Sequence, residues 1–391
     1  MQELIIKEQL DSTLEVRGAL GFDERPGGIS PRRLPDWARP QIPQLMDVVV
    51  RMPSGVRLRF ETDSATVGLG FHATAMQTLP QPRRPINFNL ETADGLACAA
   101  SALGNTIVLE RDKPGEFELL RGPADQVEFS LPGSSGGEMQ RCELWLPHNA
   151  FIELDRLLLE DGARIRCWPD SPKPKWLHYG SSISHCMEAL EPALTWPAVA
   201  ARTAQLDLHN LGLAGQCHLD PFVARTIAEQ DADIISLKVG INLINMDSMR
   251  ERVFVPALHG FLDLIREKKP TTPIVLISPI FCPSAETNPG PTLPDADGKF
   301  QTLPGDQRWR EGCMNLQRVR TLITRLVKLR TGGDKSEGGG KSRDKNLHYV
   351  DGLSLFGETD RGDLPDDLHP NPEGYLRMGE RFASTLQRLL A

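Results

Sequence analysis

The run Trp176-Leu177-His178-Tyr179-Gly180-Ser181-Ser182-Ile183-Ser184 decides how the second half of the chain is read. An apolar stretch ends at Gly180 and two hydroxyls follow. A helix-compatible segment comes next, broken near Pro192 and resumed at Trp196. The pattern predicts a buried strand, a tight turn and a serine at the mouth of a helix. Backbone N–H groups left unpaired there favour developing negative charge. Ser182 is therefore the candidate nucleophile. A Gly-Ser-Ser tripeptide is an ordinary turn in most chains, so the reading depends on what the rest of the sequence supplies.

Downstream, strands alternate with helices. Strands are expected at Trp176–Tyr179, Leu206–Leu211, Asp233–Val239, Ile274–Ser278 and Leu347–Val350. Helices are expected at Trp196–Gln205, Asp220–Gln230, Ser248–Lys268, Asp306–Lys328 and Glu373–Leu390. This order predicts a five-stranded parallel sheet covered on both faces, with right-handed crossovers. Such sheets keep their sites at the carboxyl ends of the strands. The Pro-, Asp- and Gly-rich segment Cys282–Gly305 follows one of those ends and carries no expected element; its length suits a cleft wall or lid. Thr331–Lys345 is low-complexity and polar, a composition that does not build a packed core.

Upstream, the pattern has period two. Met46–Met52, Val56–Thr62, Thr66–Phe71, Asn87–Leu90, Thr106–Glu110, Gly115–Arg121, Gln126–Leu131 and Arg141–Leu146 read as strands. Turns are expected at Pro53-Ser54-Gly55, Asp94-Gly95, Pro114-Gly115 and Pro132–Gly137, and a surface loop over residues 23–45. Many short, evenly spaced strands suit an all-β, jelly-roll-like sandwich over residues 1–172. Asp170–Lys175 is a short proline-containing linker into a second domain, 173–391. The sandwich either binds a sugar or shapes the cleft of its neighbour; fold alone does not decide.

An acyl-transferring serine needs a base, a group that orients the base, and donors for the oxyanion. Histidine is the base suited to neutral pH. Of nine histidines, His72 and His148 lie in the β domain, His259 falls mid-helix, and His178, His209 and His348 sit in or beside buried strands. His185 and His218 lie near strand ends, where they can touch substrate. His369 stands apart, in Asp366-Asp367-Leu368-His369-Pro370-Asn371-Pro372 after the last strand. Pro370 disfavours helical backbone at His369 and so fixes it on a loop. Asp366, three residues earlier, can turn back onto the imidazole; Asp367 should point elsewhere. Two other strand ends can supply donors. Asn210-Leu211-Gly212-Leu213-Ala214-Gly215 brings glycines that let backbone approach a ligand. Gly240-Ile241-Asn242 can aim an amide into the cleft.

These blocks together resemble the SGNH (GDSL) hydrolase superfamily. The resemblance covers residues 176–391 and implies a flavodoxin-like sheet in the order 2-1-3-4-5, no metal and no cofactor. It gives Ser182 the nucleophile role, His369 the base and Asp366 its orienter. The N–H groups of Ser182 and Gly215 and the Asn242 amide become the oxyanion hole. Two positions depart from the pattern: Ser181 stands where the first block has Asp, and Leu243 where an Asp follows the Asn. Both remove acidic support without removing a catalytic group. A sandwich ahead of such a domain resembles a branch that includes carbohydrate esterases and an acyltransferase acting on an aromatic polyketide.

The expected activity is hydrolysis of a carboxylic ester, such as a small acyl group on a sugar or other alcohol. The alternatives are acyl transfer to an alcohol and a sugar-binding protein with an inactive hydrolase domain. The 391 residues are 40% hydrophobic and 25% charged, with net charge −8. That balance disfavours nucleic acid as a partner. No apolar run approaches the ~20 residues of a membrane span. The charged N-terminus does not read as a secretory signal, and seven cysteines without a CxxC pair suit reduced thiols in the cytoplasm rather than disulfides or zinc.

Overall fold

The computed structural model of the protein describes residues 1–110, 116–131, 137–168, 173–333 and 343–390. The turns expected at 114–115 and within 132–137, half of the 170–175 linker and the centre of the 331–345 run lie outside them. The chain forms two compact units, residues 1–172 with 190–193, and residues 173–189 with 194–391.

The first unit is a two-sheet β-sandwich. One sheet is built on the antiparallel pair Thr66–Leu79 and Ala150–Leu159. The other is built on Arg57–Thr62, Gln140–Trp145 and Ile86–Thr92. Alternate residues such as Leu58, Phe60, Phe88 and Leu144 fill the core with Phe71, Ile152 and Leu154 from the opposing sheet. Two sequence expectations fail here. Met46–Met52 is not a strand; Gln44–Val50 is a helix that starts after Pro43 and buries Met46 and Val50, four residues apart. Its valines are β-branched, but the burial has helical spacing and overrides their strand preference. Residues 23–45 are not a surface loop. They include the hairpin Gly21–Arg25/Gly28–Arg32 and a 3₁₀ turn, Asp36–Gln41. Arg32 is buried there against Asp23 and Asp47.

The second unit has five parallel strands: β1 (Lys175–Gly180), β2 (Asp207–Gly212), β3 (Ile234–Lys238), β4 (Ile274–Ile277) and β5 (Leu347–Val350). Their order is β2-β1-β3-β4-β5, all parallel. The inner strands are buried throughout apart from Lys175, as two-face coverage requires. The helices that matter here are α1 (Ser182–His185), α2 (Trp196–Thr203), α3 (Pro221–Glu229), α4 (Ile241–Asn245), α5 (Glu251–Lys268), α6 (Leu316–Thr331) and α7 (Pro372–Leu390), with a further short helix at Gly352–Leu355. α7 buries Tyr375, Met378, Phe382 and Leu386 at helical spacing. The helix expected from Asp306 starts instead at Leu316, where the Asn315 side chain caps it. The 282–305 segment is not without structure: Thr292–Pro294 and Phe300–Thr302 pair as a hairpin. No described helix is long and apolar enough to cross a membrane.

Candidate active site

β1 ends at Gly180, Ser181 is extended, and Ser182 opens α1. Two devices seat that short helix. From β2, Asn210 Nδ2 donates to the Ser184 carbonyl at 3.1 Å, and Asn210 Oδ1 accepts from the Gly212 N–H at 3.0 Å. A Cβ on Gly212 would lie 2.4 Å from the Ser184 carbonyl carbon, so only glycine lets α1 settle on the strand. From β1, the buried His178 ring bridges Ser236 Oγ at 2.7 Å and Ser184 Oγ at 2.8 Å. The turn that carries Ser182 is therefore held from below by a polar network inside an apolar sheet.

His369 stands on the loop between β5 and α7, 187 residues from Ser182 in sequence. Asp366 Oδ1 accepts from the N–H groups of Leu368 at 2.9 Å and His369 at 2.6 Å. Its Oδ2 lies 2.8 Å from His369 Nδ1. An acceptor-only carboxylate there puts the proton on Nδ1 and leaves Nε2 to accept. Nε2 lies 2.9 Å from Ser182 Oγ, whose hydroxyl then donates to it. Burial opposes ionisation of Asp366, but the hydrogen bond and charge of His369 and the two N–H groups outweigh it. They hold the carboxyl below the ordinary range. Asp367 takes a left-handed backbone and faces Lys299 at 3.9 Å.

The ends of β2 and β3 bring the other two expected residues to the same edge of the sheet. Gly215 has φ +68° and open space where a side chain would be. Its carbonyl accepts from His218 Nε2 at 3.1 Å, while His218 Nδ1 accepts from Ser248 Oγ at 3.0 Å. Asn242 is 2% exposed. Its Oδ1 accepts from the Cys217 N–H at 3.0 Å, which leaves the amide N–H₂ as the end free to donate. His218 thus ties down the loop, and His185, fully buried, is out of a substrate's reach.

Three neighbours of His369 had no signal in the sequence. Glu188 Oε1 lies 4.0 Å from Nδ1, and Tyr375 OH donates to Glu188 Oε2 at 2.8 Å. Phe300, on the hairpin, sets its ring edge-on to the imidazole at 5.5 Å, and its N–H donates to the Asp366 carbonyl at 2.8 Å. A carboxylate six positions after the nucleophile and an aromatic in a loop have no periodicity to announce them.

Residues 174–289 match the family model of GDSL-like lipases and acylhydrolases. Residues 14–154 match that of the SsfX3 N-terminal domain. The chain thus carries a GDSL-like lipase/acylhydrolase domain of the SGNH enzyme type. Among solved structures it is similar to the salicylyl-acyltransferase SsfX3 from a tetracycline biosynthetic pathway. That likeness has 27% identity and a TM-score of 0.78, and covers 100% of this chain and 98% of that one. It also resembles a GDSL-like lipase from Bacteroides ovatus, at 19% identity and TM-score 0.67, over 100% and 98% of the two chains. A family two carbohydrate esterase from Clostridium thermocellum, in complex with cellohexaose, aligns at 13% identity and TM-score 0.57, over 96% and 99%. The last two likenesses bear on the fold alone. No curated protein sequence matches the chain.

Proposed function

We propose that the protein is a serine esterase that cleaves a carboxylic ester through an acyl-serine intermediate, with Ser182 as nucleophile. The observation that carries this reading is the unbroken line Asp366 Oδ2–His369 Nδ1 and His369 Nε2–Ser182 Oγ, at 2.8 Å and 2.9 Å. His369 takes the Ser182 proton as Oγ attacks the ester carbonyl, and Asp366 stabilises the imidazolium. The N–H groups of Ser182 and Gly215 and the Asn242 amide receive the negative charge that forms on the carbonyl oxygen. The proton then passes to the leaving alcohol. Water attacks the acyl-serine with His369 again as base and restores the enzyme. The substrate class is a small-molecule or glycan ester.

A second reading is acyl transfer, in which an alcohol replaces water in the last step. The full-length likeness to a salicylyl-acyltransferase favours it. The test is turnover of short-chain and medium-chain p-nitrophenyl esters, with products separated in the presence and absence of an acceptor alcohol. Free acid as the main product in both supports the esterase. A new ester as the main product, with little acid, moves the assignment to transferase.

Asn242→Ala is expected to lower kcat by roughly 10²–10³-fold, the usual cost of one oxyanion donor. KM should change little, because the charge exists only in the transition state. The substitution also frees the Cys217 N–H, so melting temperature should be followed beside the kinetics. A fall in kcat of under threefold would remove Asn242 from the oxyanion hole.

A further inference from the structure

The imidazole of His369 has two carboxylates near Nδ1. Asp366 is the near one, at 2.8 Å, and comes from the same loop. Glu188 is the far one, at 4.0 Å, and comes from the segment after α1. It is held from the opposite side of the sequence, since Tyr375 on α7 donates to its other oxygen at 2.8 Å. Tyr375 is fully buried, so its hydroxyl is a fixed point rather than a swinging group. Burial, followed by the Glu188 charge, raises the Tyr375 phenol well above its ordinary range and keeps it a donor.

We propose that Glu188 is a positioning residue for His369, a second carboxylate anchored by Tyr375 that steadies the ring and its charged form. The inference rests on the reading of His369 as the base for Ser182. Asp367 and Phe300, also close to the ring, do not offer this service. Asp367 turns to Lys299, and Cys282 Sγ donates to the Asp367 carbonyl at 3.2 Å. Phe300 contributes an aromatic edge. A carboxylate about 4–6 Å from an ionisable cation favours its charged form, by roughly one to three pK units in close pairs. Glu188 is partly exposed, so the lower end applies.

The test uses the full chain and the rate of serine labelling by a fluorophosphonate, measured against pH, which needs no knowledge of the natural ester. Glu188→Gln should lower the plateau rate about tenfold and move its acidic limb about one unit to lower pH. Tyr375→Phe should move the limb the same way by a smaller amount. Melting temperatures separate this from a folding defect, which would lower the labelled fraction without moving the limb. A Glu188→Gln limb and plateau equal to those of the unsubstituted protein overturn the inference and leave the Ser182–His369 reading standing. Labelling that survives in Ser182→Ala or His369→Ala overturns that reading and the inference with it.

Discussion

Replacing Ser182 with alanine lowers ester turnover by roughly 10⁶-fold while the protein stays folded. Its hydroxyl donates to one partner, His369 Nε2, and the side chain is only half-buried, so little packing is lost. The turn beneath it is held by Ser184, His178 and Asn210, none of which the substitution touches. His369→Ala should cost a similar factor, because an unactivated serine hydroxyl is a weak nucleophile at neutral pH. The double variant should be no worse than either single one: base and nucleophile act as a unit, and their losses do not add. Hydrolysis of a p-nitrophenyl ester by the three variants, with circular dichroism as the control for folding, checks all of this. Two single losses of about 30-fold each that multiply in the double variant would mean that the residues work independently, and the relay would be wrong.

The five strands of the second unit were legible because its sequence changes period where the chain leaves the sandwich, and buried parallel strands read as continuous apolar runs; their order in the sheet came from the family resemblance. The residues the structure gathers at the strand ends were legible for a related reason. Ser182, Gly215 and Asn242 each lie within a few residues of the end of an apolar strand, so fixing the strands fixed their place, whereas His369, well past β5, was legible from its own Asp366–Pro370 block. What stayed hidden depends on closure in three dimensions. Glu188 and Tyr375 lie 187 residues apart and become partners only when α7 packs down. The hairpin at 292–302 hid because Pro294 and the Asp295–Gly298 turn look like loop. Its pairing is fixed instead by contacts from outside, such as Phe300 on His369 and the Thr292–Asn245 hydrogen bond. Helix Gln44–Val50 hid for the opposite reason: three consecutive residues, Asp47 aside, are valines, and local preference pointed to strand while burial chose helix.

Acid should destabilise the second unit through His178, and the sign follows from its surroundings. Burial, then the nearby Lys238 ammonium, pushes its pKa down to about 3, whereas an unfolded histidine titrates near ~6.5. The native ring therefore stays neutral in a range where the unfolded chain takes up a proton. The unfolded state binds more protons below about 6.5, so stability is complete above that value and falls as pH drops towards about 3. The loss is about 2 kcal/mol between pH 7 and 5 and about 4 kcal/mol by pH 3. His259 and His348 are also shifted down by burial, but both are less enclosed and should add little. The carboxylates held low by their partners, such as Asp360 and Asp366, lose their share only below about pH 4. His178 therefore titrates across the window from 7 to 5. Urea unfolding followed by tryptophan fluorescence reads it directly, since the His178 ring lies 5.6 Å from that of Trp176 and 4.7 Å from that of Trp196. His178→Gln should be less stable at pH 7, because it loses those ring contacts, yet its change between pH 7 and 5 should shrink by about 2 kcal/mol. An equal change in both proteins would mean that His178 is not the group being titrated.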